Sequence, residues 1–113
     1  MAKSSKPVVW GLFAAGGTVT AFVTPVLVLL TLLAALGHVV GLLAYDGLHA
    51  FASHWLGKSL LFAIVFLSLW HAAHRLRITL HDLGVRSDTP VAVVAYAAAL
   101  AGSVAAAVYL LRI

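Results

Sequence analysis

The 29 residues from Val8 to Leu36 contain no charged side chain. As a helix they would extend about 43 Å, more than the ~30 Å hydrocarbon core of a bilayer. Backbone buried in lipid must satisfy its own hydrogen bonds, which a helix does along its length. The run therefore reads as a membrane-spanning helix, either tilted or projecting at its Trp10 end toward the headgroups. Lys3 and Lys6 precede it as they would precede a secretory signal. A signal's apolar core is only about 7–15 residues long, however, so the segment is expected to be retained. Pro25 should kink it, with Thr20 and Thr24 placed to satisfy freed backbone groups.

The rest of the chain is of the same character. Of its 113 residues, 64% are hydrophobic and 9% charged, and the mean hydropathy is +1.11. Soluble domains carry about 25% charged residues, and a chain this short has too little interior to hide so much apolar surface. A soluble catalytic domain is excluded. The expected fold is an all-α membrane protein forming one anchor domain over residues 1–113. It has spans at about 8–36, 56–76 and 90–111 and a short interfacial helix between the first two. The net charge of +4 comes from seven scattered Lys and Arg, without the basic run that tracks phosphates, so no nucleic-acid partner is expected. The absence of cysteine excludes disulfides, thiolate metal sites and thioether-linked haem.

The first connection runs from Gly37 to Gly57. From Asp46 it reads as an interfacial helix, with Leu48, Phe51, Ala52 and Trp55 on one face and Asp46, His49 and Ser53 on another. Asp46 is the expected N-cap. A loop packed on the bundle is the alternative. In the second span, Lys58 and Arg75 bracket an uncharged core about 25 Å long, and both can snorkel to water. The second connection, Arg77 to Thr89, contains Gly84 as a helix stop, and Pro90 suits the first turn of the third span. That span carries two small-residue series, Ala98/Gly102/Ala106 and Ala97/Ala101/Ala105, which let helices approach closely in lipid. It is assigned to packing. Lys3, Lys6, Arg75, Arg77 and Arg86 put the N-terminus and second connection in the cytoplasm, and the first connection and C-terminus outside.

This arrangement brings Trp10 to the same membrane face as the stretch Leu69–Asp82, which holds His71, His74, Arg75, Arg77 and His81. On a helical wheel His74 and His81 lie within about 20°, with His71 about 60° from His74 and Arg75 on the neighbouring side. They read as one polar sector facing away from lipid. Such groups at a span end can simply snorkel and fix orientation. They can also receive a lipid-soluble, carbonyl-bearing ligand such as a quinone. His can donate hydrogen bonds and exchange protons near neutral pH, and Arg is a fixed donor that favours an anionic reduced form. Trp adds an apolar face with an N–H donor. Haem is the rival use. His71 and His74, three apart on one helix, cannot both ligate one iron comfortably, so His71 is the best single candidate ligand. His38, His49 and His54 read as interfacial or solvated, without the spacing of a metal site.

Several segments, in order, resemble the family of the fumarate reductase D subunit. They are Val9-Trp-Gly-Leu-Phe-Ala-Ala-Gly-Gly17, Thr24-Pro-Val26, Ala50-Phe-Ala52, Trp55-Leu-Gly57, Leu69-Trp70, His74-Arg75 and His81-Asp-Leu83. The resemblance covers Pro7 to about Leu83, and the third span is similar in character. It implies one of two small three-span anchors in the bacterial plasma (inner) membrane. The implied partners are a second membrane anchor of the C type, an iron–sulfur subunit and a flavoprotein subunit. It also implies a shared menaquinol site serving anaerobic respiration, with no haem and no catalysis by this chain alone. Trp10 and Phe13 match the family's quinone-proximal opening, and His74 and Arg75 its basic pair. Where the family pattern often has two adjacent histidines, this chain has Arg77 and Ile78, and His71 stands where none is expected. The anchor of a succinate dehydrogenase, or a small structural membrane protein without a redox ligand, are the alternative readings.

Overall fold

A computed structural model describes residues 6–38, 41 and 44–113. Lys3, the side chain of Lys6, and positions 39–40 and 42–43 of the first connection lie outside the described residues. The orientation expectation that rests on the two lysines therefore has no structural counterpart. Among the described residues four helices follow in chain order: α1 (Lys6–Ala35), α2 (Tyr45–Ser53), α3 (Trp55–Asp82) and α4 (Asp88–Arg112). Of these, α1, α3 and α4 are long and apolar enough to cross a membrane. The chain is a multi-pass, all-α membrane protein with a short helix between its first two spans. Both α1 and α4 pack on α3, and α2 lies against the start of α3.

The helix ends follow from local chemistry. Gly37 has φ +85° and Gly84 φ +100°. These left-handed values carry no Cβ penalty in glycine. At each, two hydrogen bonds close the helix: His38 N–H donates to Leu33 O and Gly37 N–H to Ala34 O, while Val85 N–H donates to Leu80 O and Gly84 N–H to His81 O. That pairing satisfies carbonyls the helix itself leaves open. The start of α3 is capped by His54, whose Nδ1 accepts from Leu56 N–H at 3.2 Å. Pro90 falls in the first turn of α4, where a missing N–H costs nothing. Pro25 sits within α1, which continues through it as one helix. Thr20 does not turn back to its own backbone as expected. Its hydroxyl reaches Ser68 on α3 at 3.4 Å, a kind of interhelical bond worth roughly 0.6 kcal/mol in membranes.

Four further expectations are corrected. Asp46 lies in the first turn of α2 and does not cap it; Ala44 holds the cap position without a side-chain bond. Asp46 still complements the positive end of the helix from there. Trp55 begins α3 instead of extending the apolar face of α2, because the backbone turns at His54. The second connection is only residues 83–87, since helical hydrogen bonding continues past the hydrophobic limit to Asp82. Finally, neither small-residue series on α4 is its main contact face. Ala95, Ala99 and Ser103 are the buried positions, and Ala95 and Ala99 join Ala73 of α3 in the core, flanked by Leu69 and Tyr96. Gly102 meets Leu69 beside them, whereas Ala97, Ala101 and Ala105 are exposed. Small residues occupy nearly every face of α4, so spacing alone could not say which one meets α3.

The outer surface is apolar. Trp10 is 68% exposed and Phe22 74%, as expected of side chains whose solvent is lipid or a neighbouring membrane protein.

Candidate functional site

The site is set by where α1 touches α3. Gly16 is buried because a Cβ there would overlap the carbonyl oxygen of Leu67 and lie 2.8 Å from His71 Cβ. Without a side chain, the two backbones approach closely. One turn toward the N-terminus, Phe13 therefore reaches α3. Its ring stacks on His71 at 4.7 Å with 16° between planes and meets His74 at 4.6 Å, tilted by 54°. His71 Nδ1–H donates to the Phe13 carbonyl at 3.2 Å. The half-buried imidazole thus ties α3 to α1.

His74 turns the other way, toward α4. Its Nδ1 lies 3.0 Å from the Tyr96 hydroxyl. Arg77, three residues on, donates from Nη1 to the same hydroxyl at 3.4 Å. It also donates from Nε to Asp88 Oδ1 at 2.9 Å and from Nη2 to Asp88 Oδ2 at 2.6 Å. This two-pronged geometry suits a guanidinium and a carboxylate. Trp70 stacks on the Tyr96 ring at 5.0 Å, and the Arg77 guanidinium lies 5.8 Å from its centroid. A cleft of about 410 Å³ is lined by His74, Arg77, Ile78, His81 and Asp88.

The polar sector read from the wheel is therefore divided. His71 belongs to the α1 contact, and His74 and Arg77 belong to a network with α4. Arg75 is exposed, about 100° around the helix from His74. Of the four expected site residues, Phe13 and His74 are in contact. Trp10 and Arg75 lie at the same end of the bundle with their side chains outward. Trp10 lies three residues, about 4.5 Å of helix rise, beyond Phe13. Sequence reasoning assigned the third span to packing and so missed Tyr96 and its bonds to His74 and Arg77. It left Asp88 inside the second connection, Arg77 to Thr89. A usable signal was present: Tyr96 stands alone between the valines and alanines of 91–99, and Asp88 opens that helix across a short turn from Arg77.

An all-α chain with three helices long and apolar enough to cross a membrane defines a multi-pass membrane protein. The family model for the fumarate reductase D subunit matches residues 1–111. The protein named as the fumarate reductase D subunit in Shewanella sp. (strain W3-18-1) is 39% identical over 98% of this chain and 93% of its own length. Those of the same name from Aliivibrio fischeri (strain MJ11) and Haemophilus ducreyi are 37% and 40% identical. They cover 98% and 74% of this chain, and 94% and 70% of their own lengths. The chain belongs to the fumarate reductase D subunit family, and its role is that of a membrane anchor in the fumarate reductase complex.

Proposed function

We propose that this anchor holds the flavoprotein and iron–sulfur subunits at the cytoplasmic face of a bacterial plasma membrane, with its own N-terminus on that side. With a second anchor of the C type, it forms the site where menaquinol is oxidised. Reduction of fumarate to succinate belongs to another subunit, and this chain is not catalytic alone. The observation that carries the reading is the contact of Phe13 with His74 at the end where Trp10 and Arg75 face outward. Phe13 and Trp10 offer apolar faces to a quinone ring. His74 and Arg75 offer donors to its oxygens, and Arg75 supplies positive charge where the reduced ring carries negative charge. A menaquinol bound there would supply electrons to the soluble partners, and this chain's part would be to bind and orient it. His71 is already engaged with Phe13 in tying α1 to α3, and no haem is proposed.

Copurification tests the anchor role: a flavin-bearing and an iron–sulfur partner should accompany the chain, and purification of the chain alone would overturn it. Arg75→Leu or Trp10→Ala should lower menaquinol oxidation about ten- to a hundredfold, the loss of a charged hydrogen bond or an aromatic anchor. Fumarate reduction from an artificial donor should persist. Equal loss of both activities would instead mean failed assembly.

A further inference from the structure

His74 does not stand alone, and its neighbours decide which of its nitrogens carries the proton. The Tyr96 hydroxyl accepts from Arg77 Nη1, and Arg77 is held in place by two bonds to Asp88. A guanidinium donates and never accepts, so the phenolic hydrogen cannot point at Arg77. Among the described residues the hydroxyl's other partner is His74 Nδ1, at 3.0 Å. The arrangement that uses the phenolic hydrogen in a bond is the one in which Tyr96 donates and Nδ1 accepts. In a neutral imidazole the remaining proton then sits on Nε2. Trp70, stacked on the Tyr96 ring, restrains the direction of the hydroxyl.

We infer that the chain Asp88–Arg77–Tyr96 is a positioning device that locks His74 as a neutral imidazole with Nε2–H outward, making it a fixed hydrogen-bond donor to a quinone oxygen and not the acceptor of the quinol's protons. This deepens the proposed function and rests on it for the identity of the ligand; the tautomer itself does not. Protonating His74 would require the Tyr96 hydrogen to leave its acceptor and would set a second cation beside the Arg77 guanidinium. The groups that face or neighbour His74 are His71, Arg77 and His81 from α3 and Tyr96 and Asp88 from α4, with the uncharged Phe13 ring from α1. None of these is an anion directly on His74, since the Asp88 carboxylate is engaged by Arg77. The sequence expectation that His74 both donates and exchanges protons is thereby narrowed to donation. Arg77, standing where the family pattern often has a histidine, becomes the residue that fixes the tautomer.

The test is ¹⁵N NMR of ring-labelled histidine in the full chain reconstituted in phospholipid, with His74 assigned by its disappearance in His74→Gln. Wild type should show an unprotonated Nδ1 and a protonated Nε2 unchanged between about pH 6 and 8, the range in which a free imidazole titrates. Tyr96→Phe should lose this pattern and restore titration. Arg77→Met should do so in part, and Arg77→Lys should largely preserve it. A protonated Nδ1 in wild type, or a Tyr96→Phe spectrum identical to wild type, would overturn the inference whatever the ligand. In the assembled complex, Tyr96→Phe should raise the KM for menaquinol about three- to tenfold and introduce a pH dependence absent from wild type. If the NMR result holds and KM does not move, the tautomer lock stands but its service to a quinol is refuted.

Discussion

Replacing Gly16 with alanine adds one carbon at the place where α1 and α3 are closest. That carbon would overlap the Leu67 carbonyl oxygen, which is backbone and cannot rotate aside, and would lie 2.8 Å from His71 Cβ. An optimal carbon–carbon contact is about 3.5–4.0 Å, so the helices must part by roughly 0.7–1.2 Å. The Thr20–Ser68 bond, at 3.4 Å, is already near its limit and would break. The His71–Phe13 bond at 3.2 Å would lengthen beyond usefulness. Overpacking of this kind costs about 1–3 kcal/mol, and a lost hydrogen bond about 0.5–1.5 kcal/mol. Alanine's better helix propensity returns about 0.8–1 kcal/mol. The net should be roughly 1–5 kcal/mol of destabilisation, read as a shift in reversible denaturation in mixed micelles. Gly11 provides the control, because a Cβ there meets nothing within 4 Å; Gly11→Ala should be neutral or stabilising. Gly17→Ala should fall between them, since its added carbon meets only the His71 ring edge at 3.0 Å. If Gly16→Ala proves as harmless as Gly11→Ala, the close α1–α3 approach does not exist in the folded protein.

Ala99→Leu should separate α4 from α3 and cost about 1–3 kcal/mol, while Ala97→Leu on the exposed series should change stability little; the same denaturation measurement distinguishes them. Gly57→Ala should undock α2, because the new Cβ would overlap the Phe51 carbonyl, and faster proteolysis within α2 would report it. Asp88→Asn should have a small effect on stability that shrinks further at high salt, as expected for a half-exposed ion pair. The same variant should loosen Arg77 and broaden the histidine ring signals of His74. A visible absorption spectrum of the complex should lack haem bands, and bands lost in a His71→Leu variant would contradict that expectation.

The spans were legible because lipid imposes a simple rule, and the Val8–Leu36 run could satisfy it only as a helix. The stop at Gly84 was legible because the left-handed end of a helix favours glycine. The true face of α4 was not, because alanines at 97, 98, 99 and 101 give no contrast between faces. The site was half legible. His74 and Phe13 could be placed at one depth by counting residues from the span ends. The Arg77–Asp88 pair depended on a turn of five residues folding α4 back on α3, and Tyr96 depended on which way α4 faces, which spacing did not decide. Arg75 and His74 are adjacent in sequence, and the helix turns them to different surroundings.

The five-residue turn has a consequence for the order of assembly. With Arg77 clasping Asp88 across only eleven positions, α3 and α4 form a hairpin from contacts near in sequence, which form quickly. The tie between Phe13 and His71 spans 58 positions and must await α1. The aromatic contact beside His74 is then the last part of the fold to close, so a chain with its first helix undocked carries a preset histidine but no finished binding face. The chain's lack of native cysteine makes this measurable. Cysteine pairs introduced across α3–α4 should cross-link earlier during synthesis into membranes than pairs across α1–α3, and the reverse order would show that the first helix guides the other two.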